Sequence, residues 1–256
     1  MAENVRYFPS QPDLAADNLK EGFEIGPPSP VQPTNMAYSN AINLAEPNVW
    51  PNGRFTARPR LEQLYTELQR LSSRLLSLLV ISLGKSPNFF DNYLVDSLST
   101  LRLLHYPSTD TPKPRTDSGI GSSPENETNT DVKLSCTPHT DSGLLTLLHQ
   151  DSTGGLEVRE SSGKWIAAPY IPGSIVVNIG DLMAKVSGGR FVATLHRVRA
   201  PVKMDGGEMG RFSVPFFFEP GEKCLIRSVD GDGDVVVYGE HVRAKMKTWV
   251  EFRDVE

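Results

Sequence analysis

The chain has 256 residues, enough for one medium-sized domain with a buried core. Lys plus Arg number 26 against 31 acidic residues, a formal charge of −5, which argues against a nucleic-acid partner because phosphates call for a basic face. Two cysteines cannot build a disulfide framework or a zinc finger, and neither a signal core nor a membrane-length apolar run is present, so a cytoplasmic protein is expected.

Residues 1–59 hold nine of the twenty prolines, in stretches such as GPPSPVQP (Gly26 to Pro33), and read as an extended, Pro-rich segment. From Arg60 the pattern changes. Leu61, Leu64, Leu68, Leu71, Leu75, Leu78 and Leu79 fall three or four apart, the spacing of one helical face, whose role is core packing. Pro59 suits the start of this helix, and Gly84 with Pro87 beyond it marks the end. A shorter helix is expected over Asn88 to Leu98, so that 60–98 form a helical support. Leu101 to Tyr106 reads as a strand. Residues 107–131, rich in Pro, Ser and Thr with Ile120 as the one large aliphatic, read as a disordered surface insert. Short strand-like runs follow: Val132 to Pro138, Leu144 to His149, Gly155 to Arg159, Lys164 to Ala168, Ser174 to Ile179, Val192 to Ala200 and Gly210 to Phe218. Gly-rich turns at close spacing between them predict an antiparallel sandwich or barrel, which makes 99–228 the core. The tail, 229–256, is expected to carry a helix over Tyr238 to Phe252.

No phosphate-cradling loop and no nucleophile elbow is present, which leaves the five histidines as the chemistry-bearing set. His139 and His149 each stand two residues before an aspartate, Asp141 and Asp151; on a strand, either pair could offer one imidazole and one carboxylate to a metal. A third ligand must come from elsewhere, and His196 in TLHRV is far enough along to return on another strand. Two histidines and a carboxylate on one face of an octahedral ion suit non-haem iron(II), with three positions left for other ligands. Cys136 should point to the opposite face of a regular strand from His139, so a thiolate ligand is not expected. Arg211 and Ser213 share a face on a later run, where a planar cationic fork and a hydroxyl could grip a carboxylate.

Three stretches, CTPHTDSGLLTLLHQD (Cys136 to Asp151), PGSIVVNIGDLMAKVSGGRFVATLHRV (Pro172 to Val198) and GRFSVPFFFEP (Gly210 to Pro220), resemble in order the isopenicillin N synthase-like group of iron(II)/2-oxoglutarate-dependent dioxygenases. KEGFEIG (Lys20 to Gly26) and LRLLHYP (Leu101 to Pro107) are similar to further segments of that group. The resemblance implies a mainly β protein: a double-stranded β-helix, or jelly roll, with flanking N-terminal helices and a C-terminal helix. It implies His139, Asp141 and His196 as iron ligands, with His149 set aside, and Arg211, Ser213 and Tyr106 as contacts of 2-oxoglutarate. The implied activity is oxidation of a small organic molecule by dioxygen, through hydroxylation, desaturation or cyclisation in specialised metabolism, with no nucleic-acid or membrane partner. Two alternatives stay open: an iron oxidase on the same fold that does not use 2-oxoglutarate, and a shortened, non-catalytic binding relative. The chain also departs from the group. Members carry several dozen further residues ahead of the KEGFEIG-like point, so an exposed sheet edge or an oligomer contact is an expectation. Leu104 stands where plant members place asparagine, and the long spacing from His196 to Arg211 predicts a looser hairpin tip at Asp205 to Glu208.

Overall fold

The structure is a computed structural model that describes residues 7–8, 19–29, 44, 46–51, 53, 55–109, 132–202, 209–231 and 233–246, with the backbone alone at 7–8. Most of the 107–131 insert, the hairpin tip at 205–208 and the tail beyond Met246 lie outside the described residues.

In chain order the elements are β1 (Tyr7–Phe8), β2 (Glu21–Ile25), α1 (Arg58–Ser82), β3 (Thr100–Tyr106), β4 (Leu134–His139), β5 (Leu145–Gln150), β6 (Leu156–Arg159), β7 (Trp165–Ala167), β8 (Val176–Ile179), α2 (Asp181–Val186), β9 (His196–Arg199), β10 (Arg211–Phe218), β11 (Leu225–Ile226), β12 (Val236–Val237) and α3 (Tyr238–Met246). A six-stranded antiparallel sheet runs β1-β2-β3-β10-β5-β8, and a four-stranded one runs β4-β9-β6-β7. The two form a double-stranded β-helix, and side chains from both meet between them: Tyr106, Leu104, Leu148 and Val176 of the large sheet pack with Leu156, Val198 and Cys136 of the small one.

Alternation along β10 shows how the large sheet is used. Phe216 and Phe218 enter the main core beneath α1, whereas Arg211 and Ser213 turn to the other face. Helix α1 covers the outer face, with the Tyr65 ring edge-on to Phe216 at 5.2 Å and its hydroxyl donating to the Ser99 carbonyl at 2.9 Å. The helix begins with proline in its first turn and ends before Gly84 (φ +73°), where the Lys85 N–H closes back on the Val80 carbonyl at 3.2 Å.

Several expectations are corrected. The buried face of α1 is Tyr65, Leu68, Ser72, Leu76 and Val80, whereas Leu64, Leu71 and Leu78 are exposed by 39%, 40% and 64%. Leucines recur on two neighbouring stripes, and the stripe carrying the ring that fits Phe216 is the one buried. The second N-terminal helix is reduced to one 3₁₀ turn, Asp91–Leu94, because Val95 is extended and Asp96 has φ +52°. Val192 to Leu195 are not strand; β9 starts at His196. Helix α2 was not anticipated. Its six residues are too few to show a period, and it exists because its start receives the turn described next.

Candidate metal centre

Antiparallel pairing sets His139, the last residue of β4, directly opposite His196, the first of β9, with ring centroids 4.3 Å apart. Asp141 follows two residues later, but not on the strand. It occupies the turn beyond β4, and its carboxylate bends back so that Oδ1 lies 3.8 Å from His139 Nε2 and 3.6 Å from His196 Nε2. One ligand atom from each of the three lies within 4.8 Å of the others. The expected convergence is therefore present, although a turn and not strand alternation delivers the carboxylate.

The start of α2 holds that turn. Asp181 N–H donates to the Asp141 carbonyl at 2.8 Å and Leu182 N–H to the Gly143 carbonyl at 3.2 Å. Gly180 is required here, since a Cβ at that position would stand 2.1 Å from the Gly143 carbonyl oxygen. From α3, Lys245 Nζ donates to the Thr140 carbonyl at 2.8 Å and pairs with Asp181.

The donor atoms are oriented as well as gathered. His139 Nδ1 faces the Thr137 carbonyl at 2.8 Å and His196 Nδ1 faces the Thr194 carbonyl at 3.0 Å. A carbonyl only accepts, so each Nδ1 carries a proton and each Nε2 is the ring nitrogen turned to the centre, where a bound metal would take the place of any proton. Asp141 Oδ2 accepts from Thr146 Oγ1 at 2.6 Å and from Asn178 Nδ2 at 2.8 Å, which leaves Oδ1 for the imidazoles. Burial penalises this carboxylate, but His196, His139 and the two hydrogen bonds outweigh it and hold its pKa below the usual value. Burial keeps His196 below the ordinary imidazole value against the pull of Asp141. For His139 burial acts in the same direction, yet Cys136, Asp141 and the Thr137 carbonyl raise it to about 9. The placement of Cys136 is a correction. Register shifts along β4 bring its Sγ to 3.7 Å from His139 Nδ1, on the same side, although it is not one of the clustered donors.

Tyr106, Arg211 and Ser213 also come together. Tyr106 and Arg211 are register partners across β3 and β10, all three are buried, and the guanidinium lies over the phenol ring at 5.0 Å. Burial raises the Tyr106 phenol pKa. Arg211 Nε donates to the Gly154 carbonyl at 2.6 Å and Nη2 reaches Gln150 Oε1 at 3.5 Å, while the buried Nη1 has no partner among the described residues. Gly210 (φ +66°) leads into this strand where a Cβ would meet the Tyr106 carbonyl at 2.2 Å. His149 is exposed, and His105 sits between Glu21 and the Met209 carbonyl; neither joins the centre. The expectations missed Thr146, Asn178 and Gln150. Their one signal was a polar side chain interrupting an otherwise apolar strand, as in VVNI.

Residues 99–220 match the 2OG-Fe(II) oxygenase superfamily. The chain is 33% identical over 245 residues to clavatol oxidase of Penicillium crustosum, covering 91% of this chain and 66% of that one. It is 31% identical over 243 residues to a 2-oxoglutarate-dependent dioxygenase of Monascus ruber, covering 90% and 68%. The solved structure of a full-length Neurospora crassa protein in complex with alpha-KG superposes with a TM-score of 0.73 at 26% identity, covering 91% and 67%. The chain thus spans about two thirds of the length of these three proteins, and less of other relatives, down to 56%. Among the described residues no helix is long and apolar enough to cross a membrane.

Proposed function

The chain belongs to the 2OG-Fe(II) oxygenase superfamily, and from that premise we propose that it is an iron(II)- and 2-oxoglutarate-dependent dioxygenase that oxidises a small organic molecule in specialised metabolism, by hydroxylation, desaturation or cyclisation. The observation that carries this reading is the convergence of His139, Asp141 and His196, with both Nε2 atoms and one carboxylate oxygen turned inward. Two neutral imidazoles and one carboxylate are the donor set of an iron(II) centre that keeps positions open. The Arg211 cluster fits the co-substrate. A buried cation with one unpartnered donor, beside a serine hydroxyl and a phenol, suits a carboxylate, and one dicarboxylate brings iron, Asp141 and Arg211 to neutrality. Similarity to clavatol oxidase and to the Monascus enzyme supports a small organic substrate. We assign this chemistry to residues 99–228, with 60–98 as their support.

In this reading His139, Asp141 and His196 hold the metal on one face, and Thr146 with Asn178 keep Asp141 ionised and aimed. Arg211, Ser213 and Tyr106 fix the distal carboxylate of 2-oxoglutarate and so orient its reactive end. Bound there, the iron and co-substrate supply dioxygen activation, with 2-oxoglutarate leaving as succinate and carbon dioxide. The protein's share is to keep the triad open on one side and to exclude bulk water around Arg211.

Addition of 2-oxoglutarate to the anaerobic iron(II) protein tests the reading: a visible metal-to-ligand charge-transfer band is expected, and it is lost in His196→Ala. Iron binding without the band points instead to an iron oxidase that draws its electrons from substrate. Failure to bind iron points to a non-catalytic relative.

A further inference from the structure

Cys136 is the register partner of Val198 across β4 and β9, and direct partners share one face of a sheet. That face looks inward, where both side chains pack with Tyr106, Leu148 and Val176 of the large sheet. His139, opposite His196 on the same strand pair, marks one end of this interior, and Cys136 Sγ lies 3.7 Å from its Nδ1. Tyr106 leads to the other end, because the Arg211 guanidinium lies over its ring at 5.0 Å. Arg211 is 1% exposed, and its buried Nη1 has no partner among the described residues. An orphaned donor at such depth points to a ligand, independently of the cysteine. Cys136 thus stands between the metal triad and that donor.

The thiol is placed to react as well as to pack. Tyr106, Leu156 and Val198 of this cluster are buried, whereas Cys136 is only half-buried and so borders accessible space between the sheets. Its neighbours there are aliphatic side chains and the Tyr106 phenol, which leaves sulfur as the one soft nucleophile of the cluster. Close-packed interiors also resist added atoms, so a group attached to this sulfur takes room from anything else that enters.

We propose that Cys136 is a modification site that controls entry of 2-oxoglutarate: a small, uncharged alkylating electrophile reacts with its sulfur and fills the space the co-substrate needs between the metal and Arg211. The inference rests on the oxygenase reading above and adds regulation of that same site. In the reaction sulfur forms a bond to the electrophilic carbon, the leaving group departs with the electrons of its own bond, and the thiol proton passes to water. No oxidant or reductant is consumed. An uncharged reagent crosses the apolar lining without the desolvation cost an ion meets. Bound 2-oxoglutarate and the attached group occupy the same space, so each excludes the other.

Iodoacetamide, which is neutral and releases iodide, is the probe, used on the anaerobic iron(II) protein with peptide mass spectrometry as the readout. Cys136 is expected to gain one carbamidomethyl group, and 2-oxoglutarate at about a hundred times its dissociation constant should slow this at least about tenfold. Cys224, half-buried against the main core and outside this cluster, is the internal control, and its rate should not respond. Protein alkylated at Cys136 should keep its iron and bind 2-oxoglutarate at least about tenfold more weakly by calorimetry. In Cys136→Ser and Cys136→Ala, 2-oxoglutarate affinity should be the same before and after the reagent. The proposal is overturned if Cys136 resists alkylation, if 2-oxoglutarate does not slow it, or if the alkylated protein binds 2-oxoglutarate as tightly as the untreated one. Loss of iron on alkylation also counts against it, since the label would then act on His139. Untreated protein that binds iron but no 2-oxoglutarate would instead remove the oxygenase reading, so the two failures are separable.

Discussion

Replacing Thr146 by valine keeps the shape of the side chain and deletes one hydrogen bond to Asp141, so it isolates how much the donors behind the carboxylate contribute to metal binding. Thr146 Oγ1 lies 2.6 Å from Asp141 Oδ2, and both residues are buried. A hydrogen bond to a charged acceptor contributes about 1.5–3 kcal/mol, or roughly 10–150-fold in a binding constant. Asn178 still grips the same oxygen at 2.8 Å, which places Thr146→Val near the lower end, about tenfold weaker for iron(II). Asn178→Leu should cost a similar amount. The double variant should lose more than the two single effects combined, because Oδ2 is then a buried, charged acceptor without a donor. The direction with pH follows from the same bonds. Thr146 and Asn178 help to hold the Asp141 pKa below the usual carboxylate value, so their loss raises it, and the defect should grow as pH falls toward the ordinary carboxylate range. Anaerobic iron(II) titration at saturating 2-oxoglutarate, followed through the charge-transfer band, measures each constant. A folded double variant that binds iron as tightly as the unsubstituted protein would refute the reasoning.

Ser213→Ala should weaken 2-oxoglutarate binding by about tenfold while iron affinity holds, and Arg211→Lys should weaken it by about a hundredfold, because an ammonium cannot replace the planar fork; calorimetry on the iron-loaded protein checks both. Lys245→Ala removes the tie from α3 to the Thr140 carbonyl and to Asp181, so hydrogen exchange over residues 139–144 should quicken and iron binding weaken several-fold, with recovery in Lys245→Arg. Glu219 is lifted by burial to about 7 from an ordinary 4.5, despite a hydrogen bond from Ser142. Between those values the folded protein binds more protons than the unfolded chain, so this contribution is intact below about pH 4.5 and is lost as pH rises through 7. The loss is about 3 kcal/mol on this basis, and Glu219→Gln should flatten it in urea unfolding curves recorded from pH 5 to 8. Equal pH slopes for the two proteins would count against a raised carboxyl.

Local pattern and chain order made much of this protein readable before any coordinates. Leucine spacing bounded by Pro59 and Gly84 located α1 within a few residues, and β-rich runs between glycine turns located β3 to β8 and β10. The three residues proposed as metal donors stand in the sequence as His139, Asp141 and His196, because the donor types such an ion takes are fixed by its chemistry and do not depend on packing. What stayed hidden depends on contacts between segments far apart in the chain. Whether Leu64 or Tyr65 is buried depends on Phe216, some 150 residues away, and not on the helical period, which both satisfy. The side on which Cys136 lies depends on a register shift against β9, and the aim of Asp141 depends on α2, α3, Thr146 and Asn178. A period of 2.0 or 3.6 residues is a property of the chain near each residue. Register, and with it the faces that meet around the metal centre, is decided only when distant strands pair.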